Sequence, residues 1–215
     1  MDVGILKRTI YVSGLTTKSL AHQARVIPYW LLRVSELRRY PEWLDPYVTN
    51  RSVMWSAGSG IDRPDYMGYL SYIDKHIIGR HAYLQYDDFR DPNATTWYLK
   101  DMRRRGYNPL PILQPGGNSM LLHSEDLVFL SGLLQMDDME RSDYLDKHLM
   151  VGIRAKVHLL GIKDAPWFAP YAAAIQGDHS LRETHGFWRQ RCTERSDEFG
   201  EQWIPYSPML YRYRA

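Results

Sequence analysis

The segment from residue 81 to residue 117 constrains the fold more than any other, because it has the pattern of a strand, a helix and a second strand. Residues 81–86 alternate in character and are rich in aromatic side chains, as in a strand, and residues 109–114 form a second short apolar run. Between these runs, Asp91 followed by Pro92 predicts the start of a helix. Two strands joined by a helix form a right-handed unit of parallel sheet, so the segment predicts an α/β fold.

Strand-like runs recur along the chain, with helical patterns between several of them. We predict strands over 9–14, 52–58, 81–86, 109–114, 148–153, 156–162 and 171–176, and helices over 35–43 and 94–105, from Pro64 onward, and from Ser124 through Leu133. This order is typical of a parallel sheet, either closed into a barrel or open. Seven strands in 215 residues favour a compact or incomplete TIM-like (β/α) barrel with parallel strands. The residues between the fifth and sixth runs are too few for a crossover helix, so either the barrel is degenerate there or a strand prediction is wrong.

Chain length and charge bound the size of the fold and its partners. The length suits a single domain over residues 1–215, with the polar and aromatic residues 185–215 as an irregular C-terminal cap. Lys and Arg number 27 against 25 Asp and Glu, so the net charge of +2 does not by itself require a polyanionic partner. The sequence leaves the oligomeric state open.

The cysteine count and the hydropathy limit the cofactors and the compartment. Cys192 is the single cysteine, so we expect no disulfide framework and no multi-cysteine zinc site. The spacing of His179 and His185 does not support a metal site, and no Walker or dinucleotide fingerprint occurs, so we expect no metal or other cofactor. No run reaches the roughly 20 apolar residues that cross a bilayer, and the first residues lack the apolar region of a signal peptide. We therefore expect a cytoplasmic protein without a membrane partner.

Three polar residues follow strand-like runs: Asp87, Gln114 and Asp178. In a parallel barrel the carboxyl ends of the strands carry the active site. Two carboxylates suit cleavage of a bond between a sugar and a base, since one can stabilise or attack the sugar carbon while the other handles the leaving group's proton. Glutamine and carboxylate side chains also read the hydrogen-bonding edge of a base. The alternative is that both Asp residues cap loops, a common use of Asp after a strand.

Other polar and aromatic side chains give weaker signals. His179 lies beside Asp178, which makes an Asp–His pair available for proton transfer, whereas His158 lies inside an apolar run and is there more often a core residue. The 16 Tyr and 7 Trp are compatible with base stacking but more often serve core packing. A phosphate backbone could be contacted by the run Arg103, Arg104 and Arg105, although arginines at a helix end more often form a solvated face.

Four motifs follow one another along the chain: YDDFRDPNAT at 86–95, GYNPLPI at 106–112, VHLLGI at 157–162 and IQGDHS at 175–180. They resemble motifs of the tRNA-guanine transglycosylase superfamily, and most closely those of its phage and bacterial branch, which exchanges guanine in DNA for 7-deazaguanine bases. The first two motifs are similar to that branch's NLD, DPEAT and G-x-NPLPV segments. The third is similar to its LHGFGI strand, and the fourth to its nucleophile-bearing S-x-DS strand end.

The resemblance implies roles for individual residues. It implies that Asp178 faces the anomeric carbon as the catalytic carboxylate, and that Asp87, the second catalytic candidate, contacts the base together with Gln114. We group Asp88, His158 and His179 with the base-binding candidates. The family's DSGxF strand end aligns with residues 55–59, so its acid/base Asp is replaced by Trp55, which could stack on an extruded base.

These roles predict an enzyme that cleaves the N-glycosidic bond of a base in DNA, most simply a modified base. Without the acid that Trp55 replaces, we favour glycosylase-type excision that leaves an abasic site, because water then takes the place of an incoming base that must lose a proton. The first alternative is a transglycosylase that inserts a 7-deazaguanine. The others are a non-catalytic DNA-binding protein on the same fold and an α/β enzyme that acts on a small nucleoside or sugar.

Overall fold

The computed structural model of the protein describes residues 9–11, 15, 17–23, 29–37, 39–48, 52–150, 152–160, 171 and 181–183. Four predictions lie outside these residues: the roles of Asp178 and His179, nearly all of the strand over 171–176, and the C-terminal cap over 185–215. The division of the chain into domains therefore stays a prediction.

The described residues form an alternation of short strands and helices. In chain order the elements are β1 (Thr9–Tyr11), α1 (Lys18–Gln23), β2 (Tyr29–Arg33), α2 (Val34–Leu37), a 3₁₀ turn (Glu42–Leu44), α3 (Asp45–Val48), β3 (Ser52–Ser56), α4 (Tyr66–Tyr72) with a π-helical extension (Ile73–Ile77), β4 (Ala82–Tyr83), α5 (Pro92–Arg104), β5 (Ile112–Leu113), α6 (Leu121–Ser124), β6 (Leu127–Leu130), a 3₁₀ turn (Leu133–Gln135), α7 (Asp138–Leu149), β7 (Lys156–Leu159) and β8 (Leu181–Glu183).

The strands form two sheets, and every pairing within them is parallel. One sheet has the order β1-β8-β7-β6-β5 and the other the order β2-β3-β4. An isolated parallel bridge between Leu84 and Leu110 joins the end of β4 to the start of β5. The predicted α/β class with parallel strands is confirmed.

The unit from β4 to β5 forms for the local reasons that the sequence predicts. Asp91 is the N-cap of α5, and its Oδ1 accepts hydrogen bonds from the backbone N–H groups of Asn93 (2.9 Å) and Ala94 (3.1 Å). Pro92 occupies the first helical position, where its missing N–H leaves no intrahelical bond unmade. The helix ends at Arg104, and Gly106 follows with φ +90°, a left-handed conformation that glycine adopts without strain.

Two sequence predictions near the chain's middle are wrong. Residues 127–130 form strand β6 rather than the middle of a helix, and residues 148 and 149 end α7 rather than beginning a strand. A short apolar run buried on both faces has no period that separates strand from helix, which explains the first error. The correction removes the missing crossover, because α7 now connects β6 to β7. Strand β2 was not predicted, and the helix predicted over 35–43 is divided between α2 and the first 3₁₀ turn.

Alternate residues of the strands pack into different layers. One cluster, which we call the inner cluster, contains only strand and strand-end residues: Leu31, Met54, Leu84, Ile112 and Phe129. Its members come from both sheets, so the two sheets share one buried layer. The intervening strand residues pack against the helices in two larger clusters. None of the described helices is long and apolar enough to cross a membrane.

Candidate functional site

Asp87 lies just beyond β4 and is held by Arg63 from the connection between β3 and α4. Arg63 Nη2 donates to Asp87 Oδ1 over 2.8 Å and also to the Asp87 backbone carbonyl. The guanidinium lies over the Tyr86 ring, 4.2 Å from its centroid, and Tyr86 Oη donates to the Pro64 carbonyl over 2.9 Å. Burial raises the pKa of Asp87, and the Arg63 charge opposes that rise. The arrangement fixes the carboxyl group at the carboxyl edge, which is the edge formed by the C-terminal ends of the parallel strands.

Thr95 connects the loop after β4 to Gln114 at the end of β5. Its hydroxyl accepts from the Asp88 backbone N–H over 2.7 Å and lies 3.0 Å from the Asp88 carbonyl and 3.2 Å from Gln114 Oε1. Asp88 Oδ1 accepts from the Arg90 backbone N–H over 2.9 Å, so the Asp88 side chain caps a turn. The structure thus brings Asp87, Asp88 and Gln114 to the same edge.

Gln114 is 3% exposed, yet its amide is only half paired. Oε1 faces Thr95, whereas Nε2 is buried without a hydrogen-bond partner among the described residues. Ser131, one residue beyond β6, has a buried Oγ that likewise lacks a partner in this part of the chain. Because Leu113 pairs with Leu130, Gln114 and Ser131 occupy matching positions on adjacent strands. Buried polar groups without partners are uncommon and point to a missing ligand or water.

The loops after β5 and β6 are in direct contact, which keeps these two polar groups together. Gly132 has φ +83°, and a Cβ added to it would lie 3.1 Å from Cδ of Pro115. A larger residue at position 132 would therefore be strained and would push the loops apart. The backbone N–H of Ser131 also donates to the Leu113 carbonyl over 3.0 Å.

His158 is placed on β7 as a fully buried residue next to the inner cluster. Its ring lies 4.6 Å from that of Phe129, with which it is in register on the neighbouring strand. Burial lowers the pKa of His158 to about 3, so the imidazole is neutral near pH 7. His158 and Phe129 form an aromatic layer two residues before Ser131 along the strand direction.

Trp55 does not join this site. It is fully buried on β3, and its ring lies 5.9 Å from that of Tyr40 and 5.6 Å from that of Tyr72. These rings belong to one of the two larger clusters, which we call the helix-facing cluster. The inner cluster contains its neighbour Met54 instead. Because the side chain is fully buried, no face of the Trp55 ring is open to a base in this structure.

The three arginines at the end of α5 also lie apart from the site. Since α5 starts at the carboxyl edge and runs back along parallel strands, its last turn lies at the opposite edge. Arg103 pairs with Glu125 over 2.8 Å, and both Arg104 and Arg105 pair with Asp101. The hydrogen bonds from Arg105 and Tyr66 lower the pKa of Asp101 to about 2. These contacts identify the run as part of a surface ion-pair network.

Three residues of the site had no signal that the sequence reasoning used: Arg63, Thr95 and Ser131. Arg63 lies in a predicted helix start, and Thr95 lies inside a predicted helix. Ser131 follows a run that was interpreted as a helix, so its place at a strand end was not recognised. No group of three or more His, Cys, Asp or Glu side chains that could hold a metal occurs in the described ranges.

A cavity of about 430 Å³ lies beside the loop that follows Gln114. It separates this loop from α7 and is lined by Gly116, Gly117, Ser119, Asp143, Tyr144, Lys147 and His148. The strand-end residues Asp87, Gln114 and Ser131 do not line it.

Comparison with known proteins does not assign the chain to a family. No family model matches the sequence, and no curated protein matches it. The solved structures that it resembles include the YdjI aldolase from Escherichia coli K12, with 11% sequence identity and a TM-score of 0.48 over 91% of this chain and 82% of that chain.

Proposed function

We propose that the protein cleaves the N-glycosidic bond of a base in DNA, with the base bound between Asp87, Gln114 and Ser131. The observation that carries the proposal is the pair of buried donors, Gln114 Nε2 and Ser131 Oγ, which lack partners among the described residues at the carboxyl edge. Burying such groups unpaired costs about 1–3 kcal/mol each, a cost that a bound ligand removes.

The three side chains suit the edge of a purine-like base. An ionised Asp87 accepts hydrogen bonds from ring N–H and exocyclic amino groups, and its ion pair with Arg63 favours that ionised form. Gln114 Nε2 donates to a ring carbonyl or ring nitrogen, and Ser131 can donate to the same edge. A base with adjacent donors and acceptors, such as guanine or a 7-deazaguanine, satisfies all three groups.

Bond cleavage needs a carboxylate at the anomeric carbon in addition to these base contacts. The resemblance assigns this role to Asp178, which lies outside the described residues. Such a group can stabilise or attack the sugar carbon as its bond to the base breaks. Water then gives its hydroxyl group to the sugar carbon, and the released base takes up the remaining proton. We favour excision over exchange because the position of the family's acid holds Trp55, whose ring packs in the helix-facing cluster.

The proposal places the site at the carboxyl end of a compact TIM-like (β/α) barrel. Its support is the strand order of the two sheets, the Leu84–Leu110 bridge between them, and the position of β1 beside β2. The inner cluster, drawn from both sheets, corresponds to the packed interior of such a barrel.

The direct test is base release from DNA. Purified protein is incubated with duplex and single-stranded DNA that carries guanine or 7-deazaguanine bases, and free bases, nucleosides and alkali-labile sites are measured by mass spectrometry and gel analysis. We expect released base and an abasic site from at least one of these DNAs. Asp178→Asn should reduce the rate on the order of 10²- to 10⁴-fold.

Parallel incubations separate the alternatives. Incorporation of a labelled 7-deazapurine without abasic sites would identify base exchange, and turnover of free nucleosides alone would identify a small-molecule enzyme. Salt-dependent DNA binding that survives Asp178→Asn, with neither release nor incorporation, would identify a binding protein and contradict the enzymatic proposal.

A further inference from the structure

A rigid turn beside the candidate site displays an aromatic and a cationic side chain. The Asp91 backbone N–H donates to the Asp88 carbonyl over 3.1 Å, so Phe89 and Arg90 are the two central residues of a β-turn. Phe89 is 60% exposed, and the Arg90 guanidinium lies over its ring, 5.0 Å from the centroid. The tip of this turn therefore presents one aromatic ring and one cationic group side by side to the solvent.

Hydrogen bonds of Asp88 and Asp91, the residues on either side of Phe89 and Arg90, hold the turn in place. Asp88 holds the turn through its backbone contacts to Thr95 and through its Oδ1, which accepts a hydrogen bond from the Arg90 N–H. Asp91 ends it and caps α5. Thr95 also lies 3.2 Å from Gln114 Oε1, so two hydrogen-bonded steps separate the turn from the proposed base contact. The position of Phe89 is therefore fixed relative to the bound base.

The turn carries one cationic side chain, Arg90, beside three carboxylates that are each engaged in a hydrogen bond or an ion pair. The carboxylates of Asp88 and Asp91 cap the turn and the helix, and Asp87 is paired with Arg63. Within the described ranges, the Arg90 guanidinium has no ion-pair partner and contacts the exposed Phe89 ring. It is free to bind a phosphate once the ring is engaged.

We propose that Phe89 inserts into the base stack of duplex DNA at the place left by the extruded nucleotide, while Arg90 contacts an adjacent phosphate. The inference rests on the proposed function, because it assumes a DNA base at Gln114. Removing a base from the stack exposes the apolar faces of its neighbours, and an aromatic side chain can cover them. A rigid turn lowers the entropy lost on insertion.

The test uses binding to a gap that already exists, so it does not depend on base release. Affinities of the full-length protein are measured for a duplex with one tetrahydrofuran abasic analogue and for the same duplex intact. Phe89→Ala should weaken binding to the abasic duplex about 10-fold or more and change binding to the intact duplex less. Phe89→Trp should retain the preference, and Arg90→Gln should reduce the salt dependence of binding by about one phosphate contact.

Ile78→Ala is the matched control, because Ile78 is 50% exposed and precedes β4 at the opposite edge. Equal affinities of wild type and Phe89→Ala for the abasic duplex would overturn the inference, as would an equal loss in Ile78→Ala. Base release with normal binding by Phe89→Ala would contradict the inference and leave the proposed function standing. Phe89-dependent binding to the gap without any base release would contradict the proposed enzyme and support the inference.

Discussion

Arg63 Nη2 lies 2.8 Å from Asp87 Oδ1, and the same guanidinium bonds the Asp87 backbone carbonyl. The arginine therefore holds this carboxyl group in position from a different loop, and its charge favours the ionised form. Arg63 also covers the Tyr86 ring, so the loops after β3 and β4 form one connected unit. Through Thr95 this unit extends to Gln114.

Replacing Arg63 should move the acid side of the activity profile to higher pH. Burial raises the pKa of Asp87 and Arg63 is the largest effect that opposes the rise, so Arg63→Gln should raise this pKa further. If the ionised carboxylate binds the base, kcat/KM falls as the pH drops through this pKa, and in Arg63→Gln it falls at a higher pH. Arg63→Lys, which keeps the charge, should lie closer to wild type. If kcat/KM fell at the same acidic pH in wild type, Arg63→Gln and Arg63→Lys, Arg63 would not control the pKa of Asp87.

Substitution by leucine should lower the unfolding free energy at one buried glutamine, Gln85, and leave it almost unchanged at another, Gln114. Both amide ends of Gln85 are paired: Nε2 donates to the Thr95 carbonyl over 2.7 Å, and Oε1 accepts from the Ile112 N–H over 2.9 Å. Gln85→Leu leaves the buried Ile112 N–H unpaired, whereas the Thr95 carbonyl keeps its hydrogen bond within α5, so the substitution should cost about 1–3 kcal/mol of unfolding free energy. Gln114→Leu removes an amino group without a described partner and a carbonyl that faces the Thr95 hydroxyl, which keeps the Asp88 carbonyl as an acceptor. It should leave the stability within about 1 kcal/mol of wild type.

Of these two variants, Gln114→Leu should be the one that loses activity without losing stability. Gln114→Leu should lose base binding while it stays folded, and urea titration with a base-release assay measures both properties. A strongly destabilised Gln114→Leu protein, or one with normal activity, would argue that Gln114 serves the fold rather than the base.

Trp55 should contribute to the stability of the core. Its indole ring should not be required for activity. Trp55→Ala should cost about 3–5 kcal/mol, because it empties a fully buried site between Tyr40 and Tyr72. Trp55→Phe keeps most of the packing and removes an indole N–H that is buried without a partner among the described residues. It should retain DNA binding and base release. Loss of activity in a Trp55→Phe protein that melts at nearly the wild-type temperature would restore the base-stacking role.

The unfolding free energy should decrease as the pH falls below the pKa of an ordinary histidine. The pKa of His158 is about 3 in the folded protein and about 6.5 in the unfolded chain, so between these values the unfolded state binds more protons. The unfolding free energy then decreases as the pH falls from about 6.5 towards 3. His158→Leu should show a weaker decrease in urea titrations over this range, and an unchanged pH dependence would show that other groups dominate it.

The sequence predicts the unit from β4 to β5 because its signals are local. Asp91 and Pro92 set the start of α5 by their own backbone chemistry, and the strands on either side are bounded by turns. Strand β6 was mistaken for a helix because a run buried on both faces has no polar residues to show its period. Placing residues 127–130 on a helix also concealed Ser131 as a strand-end residue.

The sequence by itself determined the α/β class with its parallel strands, and it placed Asp87 and Gln114 after consecutive strands of one unit. Tertiary structure alone decided which groups meet there: Arg63 on Asp87, Thr95 between Asp88 and Gln114, and Ser131 beside Gln114. It also decided that Trp55 packs against the helices, away from this edge. The physical reason is that capping and turn chemistry act within a few residues. Ion pairs, register and the buried face of a strand depend on segments that only folding brings together.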